Sequence, residues 1–162
     1  MLPRFETIPE KKLVGRRLRM SIVNNRTPEL WRSFMPQRKL ISHVVSPDLY
    51  CVQVFDPSMD FKNFRPDTEY EKWAACEVSD FIDVPPQMET YTIRGGAYAV
   101  FLYKGAASAF QKTFEYIFYT WFPNSEYEVD NREHFEVLGA KYKNEDPSSE
   151  EEIWIPVRHK NN

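Results

Sequence analysis

Residues 96–125 read GAYAVFLYKGAASAFQKTFEYIFYTWFPNS, and their periodicity changes halfway. Residues 88–103 are rich in aromatic and β-branched side chains and predict one strand, or two strand pieces broken at Gly95-Gly96. Gly105 and Ala106 then lead into a helix over about residues 107–122. Within it Phe110, Phe114, Ile117 and Trp121 fall at i, i+4, i+7 and i+11, which puts them on one face. Pro123-Asn124-Ser125 ends the helix. Two further strands are predicted over residues 134–138 and 152–157. The acidic run between them, Glu145-Asp146 to Glu150-Glu151-Glu152, reads as a solvated loop.

The same order occurs upstream. A strand-like stretch, residues 12–20, precedes Thr27-Pro28-Glu29. There threonine suits an N-cap, proline the first helical position and glutamate the helix dipole. Leu30, Trp31, Phe34 and Met35 follow at helical spacing until Pro36 disturbs the pattern. Residues 49–55 and 72–81 read as strands on either side of a long loop, residues 56–71. Pro85-Pro86 marks a joint that no ladder or helix can cross. Strand–helix–strand–strand thus occurs twice, with a period of roughly 80 residues. The expected halves span about residues 1–84 and 87–162 of a single domain. Joined edge to edge, they predict an α+β architecture of duplicated β-α-β-β units, with one curved antiparallel sheet and two helices on one face. The opposite face is left free to hold a ligand.

Composition narrows the function classes. Aromatic residues make up 15% of the 162, an excess that suits either a core or a pocket. The net charge is −3 with both signs mixed along the chain. The one basic cluster, Lys11, Lys12, Arg16, Arg17 and Arg19, is interrupted by Leu13, Val14, Gly15 and Leu18 and reads as the charged face of a strand. No nucleic-acid-binding motif accompanies it, so direct contact with nucleic acid is not expected. Cys51 and Cys76 sit inside apolar runs and read as buried reduced thiols. The N-terminus has no apolar signal core, and no apolar run reaches bilayer length. A cytoplasmic protein without membrane contact is expected. His43, His134 and His159 lack metal-ligand spacing, and Gly95-Gly96 lacks the context of a phosphate loop, so no metal or cofactor is expected.

The segment Gly96 to Gly105, the aromatic helix ending Trp121-Phe122-Pro123-Asn124-Ser125, and the closing strands His134-Phe135-Glu136-Val137-Leu138 and Glu152-Ile153-Trp154-Ile155-Pro156-Val157 together resemble the second half of GyrI-like domains. Pro28-Glu29-Leu30-Trp31-Arg32-Ser33-Phe34 resembles the helix start of integron-associated effector-binding proteins of the same superfamily. The resemblance implies the effector-binding fold of AraC- and MerR-type multidrug regulators, with a ligand cleft between the halves. It implies a module that binds amphipathic, cationic organic compounds in drug sensing, sequestration or transcription regulation, without a DNA-binding domain of its own. The bound state would be read by a separate regulator or by gyrase. It also implies an alternative: some GyrI-like proteins are hydrolases that open the cyclopropane rings of DNA-alkylating compounds.

Candidate site residues follow. Glu136 stands between Phe135 and Val137, and strand alternation leaves it open whether its carboxylate meets solvent or a partner. The resemblance assigns it the carboxylate of the family's phenylalanine–glutamate motif, although Leu138 stands where family members often carry tyrosine. Trp73, Tyr50, Tyr98, Tyr103 and Trp154 are candidate aromatic walls, whereas Trp31 and Trp121 on helix stripes are assigned to the core. In the hydrolase reading Glu136 activates water, and Tyr50, Tyr98 or Tyr103 polarises a carbonyl. A haem-binding reading is weaker, because no histidine stands out as an axial ligand.

Overall fold

The computed structural model describes residues 1–161. Nine strands form: β1 (Arg4–Ile8), β2 (Lys11–Met20), β3 (Val44–Val54), β4 (Tyr70–Val78), β5 (Glu89–Ile93), β6 (Gly96–Lys104), β7 (Tyr127–Val129), β8 (His134–Leu138) and β9 (Glu150–His159). Helix α1 is Thr27–Phe34, and a 3-10 segment, Met35–Leu40, carries the chain on through Pro36. Helix α2 covers residues 110–124, with an α-helical start at Phe110–Glu115, a π-helical middle at Tyr116–Trp121 and a last α-helical turn at Phe122–Asn124. Every pairing is antiparallel, in the order β1-β6-β9-β8-β3-β4-β2-β5, with β7 on β9.

The α+β expectation holds, and the register shows how the sheet curls. One pairing offset runs from Arg4↔Val100 through Ile8↔Gly96 and Lys11↔Ile93 to Gly15↔Glu89. Strands β1 and β2 thus act as one long strand against β5 and β6, which draws the two ends of the sheet towards each other into a half-barrel. At Gly15 a Cβ would lie 2.0 Å from the Ala74 carbonyl oxygen, so only glycine lets β2 approach β4 this closely. Three residues of the basic cluster of β2 pair with neighbouring carboxylates: Arg17 reaches Glu71 at 2.7 Å and Glu89 at 2.9 Å, Lys11 reaches Glu77 at 3.4 Å, and Arg19 reaches Glu69 at 3.1 Å.

Three clusters form the core. Leu30 and Phe34 of α1 pack with Val14, Met20, Ala74 and Cys76 on the helix side of the sheet. On the same side Ile117 and Phe122 of α2 pack with Phe101, Ile153 and Ile155. The third cluster fills the opposite face with strand residues alone: Leu13, Tyr50, Val52, Trp73, Tyr98, Val100, Phe135 and Trp154. The expectation of a free opposite face is therefore corrected, because the curl of the sheet packs that face against itself. Cys51 and Cys76 are free and buried. Thr27 is not a capping residue; its backbone N–H and hydroxyl both donate to Asn25 Oδ1, at 3.0 and 2.6 Å. No helix among the described residues is long and apolar enough to cross a membrane.

Candidate functional site

The helix side of the sheet is not covered completely. Between α2 and the segment that leads into α1, where Ile22 and Asn25 line it, lies a cavity of about 270 Å³. Its floor is a polar stripe on three central strands. Gln53 on β3 pairs in register with Lys72 on β4 and with His134 on β8, and Glu136 follows His134 by two residues on the same strand face. All four line the cavity. Its walls are mostly phenylalanines: Phe55, Phe61 and Phe64 from the segment after β3, and Phe110, Phe114 and Phe118 from α2. Apolar walls with a few convergent polar groups are the usual make-up of a small-molecule site.

Helix α2 owes this wall to its π-helical turn. Phe110, Phe114, Phe118 and Phe122 stand four residues apart and their rings follow one another at 6.5, 4.6 and 5.8 Å. In an α-helix a four-residue spacing drifts around the axis, since a turn takes 3.6 residues. The wider π turn takes up that drift, so the phenylalanines remain a ladder. Phe118 then meets Phe61, and a short 3-10 turn, Phe61–Asn63, whose amide at Lys62 is held by Asp60, presents Phe61 and Phe64 from the loop.

The floor holds one carboxyl group, Glu136, and one ammonium, Lys72. Burial pushes the Glu136 carboxyl above its ordinary range, opposed by the Lys72 ammonium and by a hydrogen bond from Gln53. Glu151 lies on the next strand, and burial with the Glu136 charge nearby raises its carboxyl to about 7. Lys72 is the counter-ion. Burial works against its charge, but Cys51, Tyr70 and Glu136 around it hold its pKa above the ordinary value. Its ammonium also donates to the Thr27 hydroxyl at 2.9 Å, tying the first turn of α1 to the floor. His134 is kept neutral: burial, helped by the Arg132 charge, lowers its pKa to about 3.

The sequence candidates separate by face. Glu136 lines the cavity, and so does Trp154, whose ring is stacked on Phe135 at 5.2 Å in the opposite-face cluster. Trp73, Tyr50, Tyr98 and Tyr103 lie outside it. Trp73 packs on Tyr91 in the opposite-face cluster, Tyr50 donates to Glu77 there at 3.2 Å, and Tyr98 donates to the Glu133 carbonyl at 3.0 Å. Tyr103 packs edge-on against Phe110 and its hydroxyl donates to the Ala106 carbonyl at 2.5 Å. Sequence reasoning missed Lys72, Gln53, His134 and the phenylalanine walls. It also read Glu151 as solvated, whereas β9 begins at Glu150 and holds it beside the floor. The four-residue spacing of Phe110, Phe114, Phe118 and Phe122 was the available signal for one wall.

Comparison with known proteins places this geometry. SAV2435, solved bound to tetraphenylphosphonium, superposes with a TM-score of 0.69 at 17% identity, over 98% of this chain and 94% of that one. The C-terminal domain of EcmrR superposes at 0.71 with 15% identity, over 99% and 100%. A hydrolase from Listeria innocua superposes at 0.60 with 13% identity, over 97% and 92%. At these identities the likeness is one of fold. No curated protein matches the sequence. The model of the GyrI-like small molecule binding domain, however, matches residues 1–158, and the chain belongs to that family.

Proposed function

We propose that the chain binds a lipophilic organic cation in the cavity beside α2, with Glu136 as its counter-charge. The observation that carries this reading is the Glu136 carboxylate on the floor of a cavity walled largely by phenylalanines, with Lys72 on one side of it and a second carboxylate, Glu151, on the neighbouring strand to the other side. Phenyl rings contribute burial at about 25 cal/mol per Å² and present their negative faces to a cation. The carboxylates supply the charge preference. That SAV2435 is solved with tetraphenylphosphonium, and that EcmrR is solved in a DNA complex, supports a role in sensing or sequestering such compounds, with the bound state read by a regulator. The test is a fluorescence or calorimetric titration of wild type and Glu136→Gln with tetraphenylphosphonium and neutral tetraphenylmethane-type isosteres. Micromolar binding of the cation, weakened about tenfold or more in the variant and absent for the neutral compound, is expected; equal binding to both proteins removes Glu136 from the site.

A second reading is kept by one observation. Tyr70 lines the same cavity as Glu136, and burial holds its hydroxyl protonated. A protonated tyrosine facing a carboxylate is a pair that can polarise a carbonyl and activate a water. Product formed from a cyclopropane-bearing substrate by wild type, and lost in both Tyr70→Phe and Glu136→Gln, is the result this reading requires.

A further inference from the structure

The floor of the cavity holds one group that a cation at Glu136 does not use. His134 is only 6% exposed, and its Nε2 is buried without a hydrogen-bond partner. Its ring sits among phenyl rings, at 5.0 Å from Phe55, 4.9 Å from Phe61 and 6.5 Å from Phe118. None of these offers a lone pair or a conventional donor. Leaving such a nitrogen unpaired destabilises a fold, so one tends to be retained only where something else completes it. Among the described residues two other buried side-chain atoms lack partners, Gln37 Oε1 and Trp73 Nε1, and neither residue lines the cavity, whereas His134 does.

The position is specific as well as incomplete. His134 and Glu136 stand two residues apart on one face of β8, which separates them by roughly 7 Å along the strand. A neutral imidazole has one N–H and one lone pair, and a ligand hydroxyl can answer either, since it both donates and accepts. We propose that His134 is a second recognition group of the site, and that the ligand is a lipophilic cation carrying a hydroxyl or comparable hydrogen-bonding group about one aromatic ring away from its charge. The proposal rests on the cation reading of the cavity and narrows its ligand class. The floor then reads two features of one molecule: charge at Glu136, and a polar substituent at His134.

The test compares tetraphenylphosphonium with (4-hydroxyphenyl)triphenylphosphonium, on wild type and His134→Phe. The variant keeps an aromatic ring among the three phenyl rings and removes the unpaired nitrogen. Wild type is expected to bind the hydroxylated cation roughly 5- to 10-fold more tightly, the worth of one recovered hydrogen bond. His134→Phe is expected to bind both cations alike, so that the ratio of their affinities falls to about one. A readout independent of any ligand is the melting temperature of the unliganded variant, expected at or above that of wild type. A hydroxyl preference that is absent in wild type or survives in His134→Phe overturns the proposal, and so does a melting temperature lowered by several degrees, which would make His134 structural. If tetraphenylphosphonium binds without a hydroxyl preference, only the role of His134 falls. If neither cation binds wild type, the cation reading itself falls and takes this inference with it.

Discussion

The ring of Phe61 lies against that of Phe118, with centroids 5.8 Å apart and planes 10° from parallel. One ring comes from the loop after β3 and the other from the π turn of α2, so this contact closes the cavity between two elements that no backbone ladder joins. On the far side of the same two rings lies a wider groove that includes Asp60, Tyr119 and Arg158. The loop is fastened on either side of Phe61, where Asn131 Nδ2 donates to the Pro57 carbonyl at 2.6 Å and the Val23 amide donates to the Pro66 carbonyl at 3.0 Å. Phe61 is thus a wall held at its base and shared by an inner cavity and an outer groove.

Removing that wall should affect binding more than folding. Phe61 is half-buried, so Phe61→Ala is expected to cost little stability and to weaken tetraphenylphosphonium binding about tenfold, through lost stacking and lost exclusion of water. Amide exchange over residues 56–68 should quicken in the variant. Binding unchanged by Phe61→Ala, measured by calorimetry, would show that the ligand does not reach this wall.

A pH dependence follows from the acidic pair. The Glu151 carboxyl is raised from an ordinary 4.5 to about 7, first by burial and then by the charge of Glu136. The folded protein therefore holds this proton more tightly than the unfolded chain does. The stability that Glu151 contributes is fully present below about pH 4.5 and is lost as pH rises through 7. A bound cation favours the ionised form, so affinity moves in the opposite direction. Tetraphenylphosphonium should bind more tightly at pH 8 than at pH 6, by roughly 3- to 10-fold for one added charge at an effective dielectric near 20. Glu151→Gln should remove most of that slope. An identical slope in wild type and variant, from dissociation constants at pH 6, 7 and 8, would assign the titration to another group.

Much of the fold was legible because it is written in local periodicity. The strand at residues 134–138, the break between strands at Gly95 and the presence of a helix after Thr27-Pro28-Glu29 and another ending near Pro123 all follow from residue types a few positions apart. Glu136 became a candidate through the family resemblance, since strand alternation alone leaves open which way its carboxylate faces. What local pattern does not carry is the choice of face. Alternation groups Trp73 with Ala75 and separates them from Lys72, but does not say which group meets the helices. That is settled by the long-range register joining β1 and β2 to β5 and β6, which curls the sheet until Trp73 and Tyr98 pack together with Trp154 in one cluster. The largest aromatics then fill the core, and the cavity is left to phenylalanines. Two of these, Phe61 and Phe64, lie in a segment whose polar composition reads as a loop. The π turn at Tyr116–Trp121, which sets Phe118 and Phe122 in a ladder beside the expected core residues Ile117 and Trp121, likewise has no strong local signature.

The separation of the two faces makes a last prediction, about a residue that composition favoured for the site. Tyr98 is fully buried, and its hydroxyl donates to the backbone carbonyl of Glu133 at 3.0 Å while Arg132 stacks over its ring at 4.7 Å. Tyr98→Phe keeps the ring and leaves that carbonyl without its donor. The expected cost is about 1–2 kcal/mol of stability, read from denaturant midpoints at unchanged slope. The affinity for tetraphenylphosphonium should stay within about twofold of wild type, because the missing hydroxyl faces the packed side of the sheet and not the cavity. Glu136→Gln should do the reverse, weakening the ligand while relieving a buried charge. If Tyr98→Phe instead lowers affinity as much as Glu136→Gln does, the ligand is read through both faces of the sheet, and a cavity confined to the helix side is the wrong description of the site.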